Sequence, residues 1–116
     1  MRPINNSAYI RFLNCLDVLD RSSPSIKPDP IEEKLLNRIV VITSQGGEIL
    51  VGDLICLSGI GSQATLHGRI KKLVAMGYVK LNEDKVDGRR KFVIPTLKAI
   101  KRYEQLTDCL KKSLRK

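Results

Sequence analysis

Apolar residues recur at helical spacing in four long stretches of this chain, and two short runs rich in β-branched and aromatic residues lie between the third stretch and the fourth. The pattern predicts a mainly α fold with a small β-hairpin. Residues 6–20 place Tyr9, Phe12, Leu13, Leu16 and Leu19 on one stripe, with Arg11, Asn14 and Asp17 off it. The segment RSSPSIKPDP then breaks the helix with three prolines and three serines, and sets a linker over 21–29. Asp29, Pro30 and Glu32 supply an N-cap, a first-turn proline and an acidic third position for a second helix over 30–44. Its middle, RIVVIT, has strand-like β-branching, but the cap and the spacing of Ile31, Leu35, Ile39 and Ile42 favour helix. Apolar residues on its other faces predict a central, buried position.

Gly46 and Gly47 stop that helix, Ile49 predicts a very short strand, and VGDLICLS predicts a third helix of two turns with Cys56 facing inward. GIG makes a turn and Ser62 caps a fourth helix. There Leu66, Ile70 and Leu73 share the inner face, which turns His67, Gly68, Lys71, Lys72 and Ala75 outward. Gly77 stands where a left-handed helix end is wanted, and residues 78–81 and 90–94 read as strands joined by the charged loop NEDKVDGRR with its Asp-Gly turn. Thr96 caps a last helix whose Ile100, Tyr103, Leu106, Leu110 and Leu114 form one stripe, opposite Lys98, Lys101, Arg102, Gln105 and Lys112. A short glycine-containing turn between a helix and a capped basic helix is a helix-turn-helix, and the hairpin adds a wing.

At 116 residues the chain suits one domain with terminal extensions: an N-terminal helix over 6–20, a winged helix-turn-helix core over 30–95 and a C-terminal helix over 96–116. The formal charge is +9, and its distribution matters more than its size. Residues 1–61 hold 6 Lys/Arg against 7 Asp/Glu, whereas 62–116 hold 15 against 5, so the positive excess begins at the fourth helix. That placement favours a polyanionic partner. With no Trp, two Phe and three Tyr, the chain lacks platforms for stacking single-stranded bases, which leaves duplex DNA as the favoured form.

Cys15, Cys56 and Cys109 are odd in number, far apart and without CxxC spacing, so neither a disulfide framework nor a zinc site is indicated, and Cys15 reads as half-buried packing, with a redox-sensing thiol as the less plain alternative since no cationic neighbour or cap is visible to activate it. No apolar run reaches membrane-span length, and MRPINNSAYI lacks a signal peptide's apolar core; a cytoplasmic, nucleoid-associated protein is expected. His67 is the only histidine, and no paired carboxylates, nucleophile motif or phosphate-cradling glycine loop is present, so neither catalysis nor a cofactor or metal is expected.

The element order resembles the winged helix-turn-helix regulators, and among them the MarR-type repressors, over about residues 30–103. The wing carries the resemblance: Asp87, Arg89 and Thr96 stand where that family has an Asp, an Arg two residues on and a Thr after an apolar position, here Pro95, and LVAMGYV precedes it as the family's helix end and approach to the wing. The resemblance implies that Arg89 enters a minor groove, that Asp87 orients it and that Thr96 caps a dimerisation helix. It also implies a small-molecule inducer of unknown identity, though the short chain reduces room for the family's ligand pocket. ArsR-type metal sensors share the architecture, but in EILVGDL, Glu48 to Leu54, Leu50 and Gly52 stand where their thiolates would be, so soft-metal sensing there has no support.

The expected DNA-contacting set is Ser62, Gln63, Thr65, His67, Arg69, Lys71 and Lys72 on the fourth helix, with Lys85, Asp87, Arg89, Arg90 and Lys91 on the wing. An arginine at a hairpin tip suits the minor groove, where negative potential is concentrated. Gly68 stands where related helices often carry a groove-facing arginine. A homodimer is expected through the first and last helices, by Tyr9, Phe12, Leu13, Leu16, Ile100, Tyr103, Leu106 and Leu110, which would set two recognition helices about one DNA turn apart. The expected function is sequence-specific duplex binding by a dimeric repressor. The alternative is a protein-interaction module on the same scaffold with weak nucleic-acid binding, which Gly68 favours.

Overall fold

The computed structural model describes residues 6–23 and 26–115; residues 24 and 25 of the expected linker, half of the N-terminal stretch read for a signal peptide, and residue 116 of the expected last helix lie outside the described residues. The elements run α1 (Ala8–Ser22), α2 (Pro30–Ser44), α3 (Val51–Ile55), α4 (Gln63–Ala75), β1 (Val79–Glu83), β2 (Lys91–Pro95) and α5 (Leu97–Leu114). The chain divides into two compact units, Pro28–Ile100 and a second one formed by the chain on either side of it.

Within the first unit, local signals fix each helix end. The Asp29 side chain accepts from Glu32 N–H at 2.8 Å while the Glu32 carboxylate accepts from Asp29 N–H at 2.9 Å, a reciprocal cap that satisfies two backbone donors at the start of α2. That cap outweighs the strand-like middle: α2 spans the expected residues as helix. Gly46 and Gly77 both take φ +82, where a side chain would be strained. Each closes its helix with the same pair of bonds: Gly46 and Gly47 donate to Thr43 and Ile42 carbonyls, and Gly77 and Tyr78 donate to those of Val74 and Leu73.

Leu35, Leu36, Ile39, Leu54, Leu66, Ile70, Leu73, Tyr78, Val79 and Val93 make the core. α2 is less enclosed than its composition predicts, since Val41 is 52% exposed. The third helix is also shorter than the two turns expected. After Ile55 the chain passes into tighter turns, with Cys56 and Leu57 donating to the Asp53 and Leu54 carbonyls three residues back, and this leaves Cys56 exposed rather than inward.

β1 and β2 pair antiparallel from Val79↔Pro95 to Glu83↔Lys91, so each strand begins one residue later than expected and ends two residues later in β1 and one later in β2. Leu50 bridges Phe92, and Val93 donates to the Ile49 carbonyl at 2.9 Å, which seats the base of the wing against the segment before α3. The short strand expected at Ile49 is thus a single bridge.

In the second unit, α1 begins and ends two residues later than the spacing predicts, with Ser7 as N-cap. Its facing is decided by polar anchors as well as by apolar bulk. Arg11 donates twice to the Ser113 carbonyl, at 3.1 and 2.8 Å, and Asp20 pairs with Arg102 at 3.2 Å and Lys27 at 3.1 Å. Arg102, expected on the outer face of the last helix, therefore lies part-buried, while Ala99, Cys109 and Ser113 are the buried positions of α5. Tyr9, Leu13, Leu110 and Leu114 of the expected apolar stripes are exposed.

Candidate nucleic-acid interface

α4 presents a thin, basic outer face because its leucines and isoleucine are spent inward, with Val74 left exposed near its end. Leu66 and Leu73 are fully buried and Ile70 nearly so, which leaves Gln63, Thr65, His67, Gly68, Lys71 and Lys72 exposed. Ser62 orders the start of this face: its hydroxyl accepts from Thr65 N–H at 3.2 Å and donates to Thr65 Oγ1 at 2.9 Å. Gly68 sits in the middle with open space above it, and a Cβ built there meets nothing within 4 Å. Gly68→Ala will therefore stabilise the protein by roughly 0.5–1 kcal/mol, the helix-propensity difference alone, read as a higher urea midpoint. A lower midpoint would mean that the glycine serves a packing role.

The wing tip is built by its own aspartates. Asp87 Oδ1 accepts from Arg89 N–H at 3.0 Å and from Arg89 Nε at 3.3 Å, and Asp84 Oδ1 accepts from Val86 N–H at 3.0 Å. Asp84 also pairs with Arg90, at the longer distance of 3.7 Å. The Arg89 side chain is 92% exposed, so its pair with Asp87 is a solvated one that a stronger anion can replace. Thr96 ties the wing to its neighbours: its hydroxyl reaches the Gly77 carbonyl at 2.6 Å and the Tyr78 carbonyl at 3.1 Å, and it accepts from Ala99 N–H at 3.4 Å. One residue thus joins the end of α4, the approach to β1 and the start of α5, as the cap role implied. Beside it the Lys98 ammonium lies 4.6 Å from the centre of the Tyr78 ring.

α3, α4 and the hairpin enclose a concavity of about 590 Å³, and His67, Lys71, Arg89, Arg90 and Lys91 all line it together with apolar residues such as Val74 and Leu81. The fold thus brings His67 and Lys71 of the expected helix face and three wing cations to one place, while Ser62, Gln63, Thr65, Lys72, Lys85 and Asp87 do not line the concavity. Arg69 is held elsewhere. Its guanidinium pairs with Asp29 at 3.2 Å and with the buried Glu32 at 3.5 Å, so it belongs to the junction of α4 with the start of α2 and not to the exposed face. Sequence spacing gives no sign of this, because Glu32 and Arg69 lie 37 residues apart.

No protein-family model matches the chain, and no curated protein matches it. Solved structures do. A transcriptional regulator from Thermotoga maritima is 23% identical with a TM-score of 0.67, over 90% of this chain and 67% of that one. A MarR protein from Peptoclostridium difficile is 23% identical with a TM-score of 0.57, over 98% of this chain and 74% of that one. BpsR of Bordetella bronchiseptica, whose DNA binding is regulated by 6-hydroxynicotinic acid, is 21% identical with a TM-score of 0.55, over 91% of this chain and 70% of that one. At these identities the likeness is one of fold. The chain has the winged-helix fold of MarR-type transcriptional regulators.

Proposed function

We propose that this protein is a transcriptional regulator that binds double-stranded DNA sequence-specifically as a homodimer, and that it acts as a repressor. The observation that carries the reading is the convergence of the exposed α4 face and the wing cations on one concavity. In this reading Gln63, Thr65, His67 and Lys71 face base edges in a major groove, while Ser62, Lys72, Lys85, Arg90 and Lys91 hold phosphates and Lys71 reaches a phosphate as well. Arg89, oriented by Asp87, enters the adjoining minor groove. Arg69 is left out of the contact set because α2 holds it.

The dimer is supported by apolar side chains that the protomer leaves exposed on the two terminal helices: Tyr9 at 66%, Leu13 at 44%, Ile100 at 46% and Leu110 at 48%. Phe12, Leu16, Tyr103 and Leu106 are half-buried already and would be covered further. A two-fold pair is the ordinary way for such a module to read a palindrome. The regulation of BpsR by 6-hydroxynicotinic acid makes a small-molecule inducer a natural further expectation for this chain. Among the described residues no helix is long and apolar enough to cross a membrane, which accords with a cytoplasmic place beside DNA.

Selection from a random duplex pool tests the proposal, with affinity for the selected sequence then compared with random duplex. A palindromic winner, bound far more tightly than random duplex, is the expected result. A pool without enrichment would move the assignment to a protein-interaction module with nonspecific binding.

A further inference from the structure

The outer face of α2 carries a surface that DNA binding leaves unused. Leu35, Leu36 and Ile39 turn into the core of the first unit, which sends Lys34, Asn37, Arg38 and Val41 outward along one side of the helix, at spacings of three and four residues. Ile60, in the turn between α3 and α4, joins them, and the five residues line a shallow hollow of about 360 Å³. Val41 is 52% exposed and Ile60 half-buried, so apolar surface faces water there. No carboxylate lines the hollow. Among the described residues neither Lys34 nor Arg38 pairs with one, whereas Arg69, Arg90 and Arg102 all do. Of the acidic residues beside them on α2, buried Glu32 is held by Asp29 N–H and Arg69, and Glu33 adjoins Lys34 at a spacing where helix side chains do not face each other.

We infer that this hollow is a docking surface for an acidic segment of a partner protein, one that presents an apolar side chain between two carboxylates. Charge complementarity sets the carboxylates: Lys34 and Arg38 are four residues apart, about 6 Å along the helix axis, so the matching pair on the partner stands about one helical turn apart. The apolar side chain covers Val41 and Ile60 and removes their surface from water. A shallow hollow suits side chains that project from a second protein, because a small molecule needs most of its own surface enclosed. Duplex DNA is the poorer fit. Its phosphates would meet the two cations but would leave Val41 and Ile60 without apolar cover, and none of the residues assigned to DNA lines the hollow. The two surfaces share no residue, so they can be tested apart.

Titration of the isotope-labelled full chain with a synthetic peptide, followed by amide and methyl NMR shifts, is the test. The probe is an alanine-rich peptide of about 15 residues, long enough to hold helix, with both ends blocked. It carries two glutamates four residues apart, a leucine just before the second of them, and no other charge. Saturable shifts at Lys34, Asn37, Arg38, Val41 and Ile60 are the expected result. Exchange of the peptide's leucine for alanine should weaken binding about tenfold, and so should the double variant Lys34→Gln with Arg38→Gln. No saturable shift up to about 2 mM peptide would overturn the proposal. So would shifts confined to α4 and the wing, which would make the peptide a mimic of DNA. The double variant should bind random duplex within about twofold of the wild type; a larger fall would assign the two cations to flanking phosphates and overturn the proposal as well. A protein that bound no duplex at all would fail the DNA-binding reading and leave the peptide titration to decide this one. Both cations are exposed, so the double variant should fold, and the wild-type shift map decides even if it does not.

Discussion

Raising monovalent salt from about 50 to about 200 mM will weaken duplex binding by about 10⁵ if two protomers act together. Lys71, Lys72, Lys85, Arg90 and Lys91 are exposed, and among the described residues Arg90 is the one of the five that pairs with a carboxylate, that of Asp84 at 3.7 Å. Five phosphate contacts per protomer make about ten in a two-fold complex and a slope of log K against log salt near −9; one protomer alone gives about half that. The slope therefore reports stoichiometry as well as mechanism. Lys71→Gln or Lys85→Gln should each reduce its magnitude by about 1.8 in the dimer, since each removes two contacts. Arg89→Ala should weaken binding about tenfold, most on A·T-rich flanks, because it removes a minor-groove cation and also leaves the Asp87 carboxylate facing phosphate without its partner. Fluorescence anisotropy over a salt series reads all three effects. A slope near zero, or an Arg89→Ala protein of unchanged affinity, would remove the wing from the mechanism.

What could be read from sequence was set by short-range physics. The Asp29–Glu32 reciprocal cap, the Ser62 cap, the left-handed glycines 46 and 77 and the Asp87–Arg89 wing tip each depend on residues within a few positions of one another. They located α2, α4 and the hairpin, and with them the two halves of the candidate site. Facing was harder, because it depends on what lies opposite. On α5 the most apolar stripe is not the buried one: small Ala99, Cys109 and Ser113 allow close approach, and Leu110 and Leu114 turn outward. On α1 the same choice leaves Tyr9 and Leu13 exposed while Arg11 is held by the Ser113 carbonyl. The contact of the Cys15 thiol with that of Cys109 was hidden for the same reason, since residues far apart in sequence meet only once two helices are set antiparallel. α3 ended early because its Gly52 and the following turns hold helix weakly, and this carried Cys56 to the surface.

Arg69→Ala will destabilise the protein by about 2–3 kcal/mol, a fall in Tm of about 10–15 °C, while leaving the DNA affinity of the folded protein within about twofold. Glu32 is 3% exposed, and a carboxylate so enclosed persists only with partners. One of its oxygens accepts from Asp29 N–H, and the other faces the Arg69 guanidinium at 3.5 Å. Alanine at 69 leaves that second oxygen without its cation. Breaking a fully buried pair costs about 3–5 kcal/mol; the Arg69 side chain is 36% exposed, so water can enter and the lower figure applies. Two further variants separate charge from packing. Glu32→Gln keeps an acceptor for Asp29 N–H and removes the charge, so Arg69→Ala in that background should cost about 1 kcal/mol less than in the wild type. Arg69→Lys should recover only part of the loss, because one ammonium cannot hold Asp29 and Glu32 with the fork that the guanidinium supplies. Melting curves for the five proteins, wild type, three single variants and the double one, read beside anisotropy at a temperature where all are folded, decide the matter. A stable Arg69→Ala protein with lost affinity would return Arg69 to the DNA-contacting face, and would mean that its pairing with α2 opens when duplex binds.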